Sequence, residues 1–280
     1  MYINTAPRAV CAEDIGSEDK RMVYYKRIPL ETLVNTRDMG GFPAGPGKVT
    51  KYGVFVRTDC PIGISENDKQ YLLKYGVTLS VDLRGVNEQK ATPSGMNGVP
   101  GHTYVHCPIT EEHEIIKSGP DGKRAPLAAP GPDFDLADSY IEMLETGKPW
   151  AKKVIELLTN WDGVAMFHCY IGKDRAGLIA ALLLGAVGVC DTDIMMDYSA
   201  SMSCLRPKYE KMTKMHVPIG KRGRPNYSWA FFGSVPETME TAICHMKENY
   251  GGIVGYLKAA GVPDETLEKL HAKFVEDVEF

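Results

Sequence analysis

The spacing of hydrophobic positions changes along the chain, and the changes mark out the elements. Short runs rich in Val, Thr, Tyr and Phe stand at "GVFVRT" (53–58), "VTLSVDL" (77–83), "TYVHCP" (103–108) and "VAMFHC" (164–169), and each predicts a strand. Between the first two lies "SENDKQYLLKYG" (65–76), in which Ser65 is placed to cap a helix, Asp68 completes an S-x-x-D box and Gly76 stops the helix. A strand, a helix and another strand imply a parallel crossover, hence an α/β layered fold. Farther on, helices are predicted near 136–146, 149–160, 175–188, 192–203, 206–215, 236–249, 252–260 and 263–276, each bounded by Gly, Pro, Asp or Asn signals. The expected fold class is α/β: a central, mostly parallel sheet flanked by helices, with a helical C-terminal half.

The segment "KSGPDGKRAPLAAPGPDFD" (117–135) is dense in Gly, Pro and charge and reads as a lid. Residues 1–25 read as a loose N-terminal arm and 26–280 as a single domain, with no internal repeat. A chain of 280 residues that is 44% hydrophobic can bury a large core. Its net charge of -4, from 32 basic and 36 acidic residues, creates no global field for nucleic acid or an anionic membrane, so any anion must be held locally.

Seven cysteines (11, 60, 107, 169, 190, 204 and 244) are dispersed without a C-x-x-C pair, which argues against a zinc ribbon or a thioredoxin-type site and predicts reduced thiols. The longest apolar stretch, Ala176 to Cys190, is too short and too glycine-broken to span a bilayer, so no stable membrane insertion is expected. The start has acidic residues and no apolar h-region, which predicts a cytoplasmic protein without a secretory signal.

Candidate chemistry concentrates in "FHCYIGKDRAG" (167–177). "VAMF" reads as a buried strand, and "AGLIAALLLGAVGV" from 176 is apolar on nearly every face, as a helix sunk in the core would be. A turn from such a strand to the N-terminus of such a helix aims successive backbone N–H groups into one concavity and makes an anion cradle. Gly172 supplies the unusual dihedrals that this requires. Cys169 sits at the rim, where a helix N-terminus and nearby cations favour the thiolate. Arg175 returns beside it with a planar fork that matches two oxygens of a tetrahedral oxyanion, and Lys173 adds a second cation. A Walker A loop fails, since Phe167 stands where glycine is required and Asp174 where Ser or Thr is. "HEIIK" (113–117) lacks the second histidine of a zincin, and "GGFPAGPG" (40–47) reads as a turn-rich loop. Neither a metal nor a cofactor is expected.

"HCYIGKDRAG" resembles the H-C-x-x-G-K-D-R-[ST]-G loop of the atypical bacterial tyrosine phosphatases, a family that also accepts phosphoserine, phosphothreonine or phosphoinositides. The likeness extends to "NTRDMGG" (35–41), "GVFVRTD" (53–59), "VDLRGVNE" (81–88) and "PETMETAICHMKENYGGIVGYLKAAGV" (236–262). The resemblance implies a cysteine-phosphatase fold and a phosphorylated protein or phosphoinositide as substrate, with no nucleic-acid partner. It makes Cys169 the nucleophile that forms a thiophosphate ester, Arg175 the phosphate clamp and Asp174 the general acid, with Asp133, Asp135 and Glu111 as rivals for the acid. It places Tyr170, Ile171, Gly172, Lys173, Ala176 and Gly177 in the phosphate loop, and has His168 orient that loop.

Asp82 and Arg84, at the end of a neighbouring strand, are expected either to line the site or to form an internal salt bridge. For Arg37 and Asp38 a structural role is expected. "GKRGR" (220–224) either meets an anionic substrate body or is a solvated loop. The chain departs from the family at Ala176, where Ser or Thr is usual. That departure keeps open a catalytically weak phosphate-binding protein; an inositol-phosphate phosphatase is a second alternative, and sulfur transfer ranks low. Oligomeric state is left open.

Overall fold

The computed structural model describes residues 26–109, 135–216 and 233–278. In chain order these form β1 (Arg37–Asp38), β2 (Lys48–Thr50), β3 (Phe55–Thr58), α1 (Glu66–Lys74), β4 (Val77–Asp82), α2 (Val86–Ala91), β5 (Thr103–His106), α3 (Leu136–Thr146), α4 (Lys148–Asn160), β6 (Val164–His168), α5 (Asp174–Ala186), α6 (Asp191–His216), α7 (Pro236–Tyr250), α8 (Ile253–Ala259), α9 (Asp264–Phe274) and β7 (Val275–Asp277). A five-stranded sheet runs β1-β3-β6-β4-β5. β3, β6, β4 and β5 are mutually parallel, and only β1 is antiparallel to its neighbour. β6 is therefore the central strand, flanked by β3 in the register Thr58↔His168 and by β4 in the register Asp82↔His168.

Alternation along the strands divides the core in two. Phe55, Leu79, Ala165 and Phe167 face the larger cluster with α3, α4, α5 and the C-terminal helices, whereas Val56, Val77, Val164 and Met166 face a smaller one with Leu72 of α1. The strands read as continuous apolar runs because both faces are covered. Helix α5 is buried at every position from Arg175 to Leu184, as its unbroken apolar sequence requires. The cap on α1 forms as its sequence specifies, with the Asp68 amide donating to Ser65 Oγ at 3.1 Å.

Several features differ from the sequence expectation. The two helices expected at 192–203 and 206–215 are one, α6, with Pro207 in its interior. Proline there removes one backbone donor, but the helix is anchored before it by Asp197, bonded to Arg37 and Arg57, and after it by Lys208, paired with Asp59. The helix expected at 263–276 stops at Phe274, and Val275–Asp277 instead pair antiparallel with β2. Two or three residues are too few for a period to register, which also hid β1 and β2. Helix α2 was likewise unanticipated. Most of the expected lid lies outside the described residues. All six described cysteines are free, and no described helix is long and apolar enough to cross a membrane.

Candidate active site

The loop between β6 and α5 is shaped by where its carbonyls go. The His168 carbonyl accepts from the Leu83 amide at 2.8 Å, and that of Cys169 meets His168 Nδ1 at 3.3 Å. The Tyr170 carbonyl accepts from the Cys60 amide at 3.1 Å, that of Ile171 from Asn35 Nδ2 at 2.9 Å, and those of Gly172 and Lys173 from Arg57 Nη2 at 2.8 and 3.3 Å. In a trans peptide the N–H points opposite to the carbonyl. Tying the carbonyls of residues 169 to 173 to the surrounding protein therefore turns the amides of residues 170 to 174 toward the loop's interior. Among the described residues, no backbone carbonyl accepts from the amides of Tyr170, Ile171 or Gly172. Gly172 has a φ of +71°, and a Cβ there would lie 2.3 Å from the Thr58 carbonyl oxygen. Both the dihedral and the contact demand glycine.

Cys169 stands at the start of this loop, 1% exposed, at the carboxyl end of the central strand. Arg175, in the first turn of α5, is likewise buried. Glu88, on α2, holds its fork from behind, accepting from Nη1 at 2.5 Å and from Nη2 at 3.0 Å. Burial opposes ionisation of Glu88, but the hydrogen bonds and charge of Arg175 outweigh it and hold the carboxyl below its usual range. Glu88 also accepts the Gly85 amide at 2.9 Å, so the carboxylate that aims Arg175 begins α2 as well. Arg175 Nε is buried and has no hydrogen-bond partner among the described residues. Arg27 Nε, Arg57 Nε and His168 Nε2 are also buried without a partner among the described residues, so Arg175 Nε is set apart by its place in the first turn after the loop rather than by the missing acceptor.

Asp174 and Lys173 form a second group. Asp174 Oδ1 accepts from the Tyr140 hydroxyl at 2.6 Å and lies 3.3 Å from Lys173 Nζ. Tyr140, fully buried on α3, also shares a 2.9 Å hydrogen bond with the hydroxyl of Tyr198 on α6. Lys173 Nζ, fully buried, donates to the Gly233 carbonyl at 2.9 Å. Ala176 and Gly177 are buried in α5, whereas Tyr170 is 39% exposed at the rim.

Beside the loop, Arg84 grips Asp82 through Nε at 2.9 Å and Nη2 at 2.7 Å, and spends Nη1 on Thr92. Tyr104 donates to the same carboxylate at 2.7 Å. Burial opposes ionisation of Asp82, yet His168 and the Arg84 and Tyr104 donors hold its carboxyl down at about 2. Burial pushes the His168 imidazole toward its neutral form against the pull of Asp82, 3.8 Å away, so near neutral pH the Arg84 and Tyr104 donors are what hold the Asp82 carboxyl down. The structure thus places Asp82 and Arg84 together as an internal pair behind His168. Asp38 accepts from the Gly40 and Gly53 amides and from Tyr75, and is a structural carboxylate. Of the rival acids, Asp135 caps α3 by accepting from the Ala137 amide at 2.8 Å; Asp133, Glu111 and the basic run 220–224 lie outside the described residues.

Sequence reasoning assigned no role to Glu88, Asn35, Arg57, Tyr140 or Asp197. Three of the five stand in segments already singled out, "NTRDMGG", "GVFVRTD" and "VDLRGVNE", so the signal for those lay in the segments while the partners did not. Among the described residues, no group of three or more His, Cys, Asp or Glu is arranged to hold a metal ion.

The model of the tyrosine phosphatase family matches residues 28–276. A protein of Nostoc commune named tyrosine-protein phosphatase is 28% identical over 232 residues, covering 78% of this chain and 73% of that protein. A Mycobacterium tuberculosis protein named triple specificity protein phosphatase is 30% identical over 127 residues, covering 42% of this chain and 46% of that one.

Proposed function

The chain belongs to the tyrosine phosphatase family, and from that premise we propose that this phosphatase hydrolyses phosphate monoesters through a covalent ester on Cys169. The observation that carries the proposal is the loop that follows Cys169, whose carbonyls are tied to the surrounding protein, whose Tyr170, Ile171 and Gly172 amides have no backbone acceptor among the described residues, and which leads into Arg175 with a buried, unpartnered Nε. The phosphoryl oxygens take the loop amides and Arg175 as donors. The Cys169 thiolate attacks phosphorus from below, the P–O bond to the leaving group breaks, and the leaving oxygen takes a proton from Asp174. Water then attacks phosphorus and gives a proton to Asp174, the S–P bond breaks, and the thiolate and inorganic phosphate are released.

Donors fixed before the reaction need no reorganisation as charge moves onto the equatorial oxygens, which is where such a site gains most of its rate. Tyr140 and Lys173 hold Asp174 at Oδ1. His168 and the Asp82–Arg84 pair support the strand end that carries the thiol. All the charge the reaction needs is supplied by these side chains and amides.

Phosphotyrosine is the proposed substrate, with phosphoserine, phosphothreonine or phosphoinositides as the wider range, which a relative named for triple specificity encourages. The test is phosphate release from phosphotyrosine, phosphoserine and phosphothreonine peptides beside phosphoinositides, with and without orthovanadate. Vanadate-sensitive release that Cys169→Ser abolishes supports the reading. Turnover by Cys169→Ser above about a hundredth of wild type contradicts covalent catalysis.

A further inference from the structure

Behind the loop stands a second arginine, out of contact with solvent. Arg57, near the end of β3, is fully buried. Its Nη2 donates to the carbonyls of Gly172 and Lys173 at 2.8 and 3.3 Å, the two peptides that lead into Asp174 and Arg175. Its Nη1 donates to Asp197 of α6, whose other oxygen accepts from Arg37 Nε at 3.1 Å. All three side chains are at most 2% exposed. Two guanidinium groups thus share one carboxylate, and the trio carries one net positive charge in a water-excluded place. A buried uncompensated charge is strongly unfavourable, so the protein is expected to set an anion near it.

Two thiols bear on the trio: Cys204 of α6 hydrogen-bonds Arg37, and Cys169 begins the loop whose Gly172 and Lys173 carbonyls Arg57 holds. Burial pushes the Arg57 guanidinium down and Arg37 adds to that, while Asp197 and a charged Cys169 push it back up. The same thiolate also supports Arg175, after Glu88. Other ionisable groups bear on the same strand ends: Cys60 senses Arg84, Asp82, Asp59 and Cys169, and His168 senses Asp82, Arg84 and Asp59.

We propose that Arg57, aimed by Asp197, is a positioning residue with two separable effects: its fork fixes the Gly172 and Lys173 peptides, and its charge favours the Cys169 thiolate. The proposal rests on the thiolate reading above and adds a residue that touches neither substrate nor reacting atoms. A fork that spans two carbonyls requires arginine. A charge requires only a cation, so lysine and a neutral residue separate the two effects.

The experiment compares wild type, Arg57→Lys and Arg57→Met in three readouts: melting temperature, inhibition by orthovanadate, and the rate of iodoacetamide alkylation at Cys169 at pH 6, which reports the thiolate. In Arg57→Met, alkylation should slow about ten-fold or more, since a neighbouring opposite charge is worth one or more decades in ionisation. In Arg57→Lys, alkylation should stay within about three-fold of wild type, while vanadate inhibition weakens about ten-fold because a point charge cannot hold both carbonyls. A residue that merely holds the fold would lower the melting temperature and shift neither ratio among folded molecules. Alkylation of folded Arg57→Met at the wild-type rate would overturn the charge effect, and wild-type vanadate inhibition of Arg57→Lys would overturn the grip. If Arg57→Met does not fold, Arg57→Lys decides the proposal alone, by retained alkylation with weakened vanadate or by its failure. If wild type is neither alkylated at Cys169 nor protected by vanadate, the thiolate reading itself fails and takes this inference with it.

Discussion

One methyl group added at Gly172 should disable the loop, whereas the same addition at Gly98 should not. Both glycines have left-handed backbone, with φ of +71° and +80°, where an L-residue costs about 1–2 kcal/mol. At Gly98 a Cβ would find nothing within 4 Å, so the cost ends there. At Gly172 it would lie 2.3 Å from Thr58 O, 2.5 Å from Thr58 C and 2.7 Å from the Asp59 amide nitrogen, all backbone. Non-bonded heavy atoms settle at about 3.5 Å or beyond, so loop and strand must separate by roughly 1 Å. That separation works against the bonds from Asn35 to Ile171, Cys60 to Tyr170 and Arg57 to Gly172. Losing two of them at about 1 kcal/mol each brings the total to about 3–4 kcal/mol.

The assay pairs thermal melts with kcat/KM for an aryl phosphate. Gly172→Ala should melt on the order of 10 °C lower and lose about 100-fold in kcat/KM, the usual consequence of a 1 Å misplacement. Gly98→Ala should melt a few degrees lower and retain its rate within about two-fold. Equal effects of the two substitutions would refute the argument that the Thr58 contact fixes the loop.

Three further perturbations test other parts of the site. Glu88→Gln removes the charge behind Arg175, and orthovanadate inhibition should weaken about ten-fold or more; unchanged inhibition would mean that Arg175 is oriented by its own packing. Tyr140→Phe removes the donor to Asp174 and should slow alkyl phosphates several-fold more than aryl phosphates, because general-acid help matters most for poor leaving groups; an equal effect on both would move the acid role elsewhere. Asp82 has a folded pKa of about 2, below the ordinary value near 4, so its contribution to stability is complete above about pH 5 and is lost as pH falls toward 2. The loss is about 2 kcal/mol. Urea midpoints at pH 7 and pH 3 should differ less in Asp82→Asn than in wild type, and an undiminished difference would assign acid sensitivity to other carboxylates.

The central features of this fold and site were legible because they are local. Strand runs announced β3 to β6, and an unbroken apolar helix after a polar turn announced the loop, since eleven consecutive residues hold the proposed nucleophile, the proposed clamp and the bend. What stayed hidden is held by partners far apart in sequence. Glu88 reaches Arg175 across 87 positions, Arg57 reaches Gly172 across 115, and Asn35 reaches Ile171 across 136. Only the strand order β3-β6-β4 brings them to one sheet edge, and no local period encodes that order. Asp82 and Arg84 show the converse: their position at that edge was readable and an internal salt bridge was one of two expected roles, but the choice between pairing and lining the site required coordinates. The β2–β7 pair was too short to leave any periodic trace.

The most direct test of the central claim is to look for phosphorus on Cys169. Ala176 lacks the hydroxyl that the resembling family places after the arginine. A hydrogen bond to a charged sulfur contributes roughly 1.5–3 kcal/mol, so its absence should slow hydrolysis of the intermediate about ten- to a hundred-fold. The phosphoenzyme should therefore accumulate. Denaturation in detergent at neutral pH within the first turnovers of an aryl phosphate, followed by peptide mass spectrometry without acid exposure, should find one phosphoryl group on the peptide containing Cys169 and none in Cys169→Ser. Phosphate found on another side chain, or turnover with no phosphopeptide and no burst of leaving group, would contradict the account.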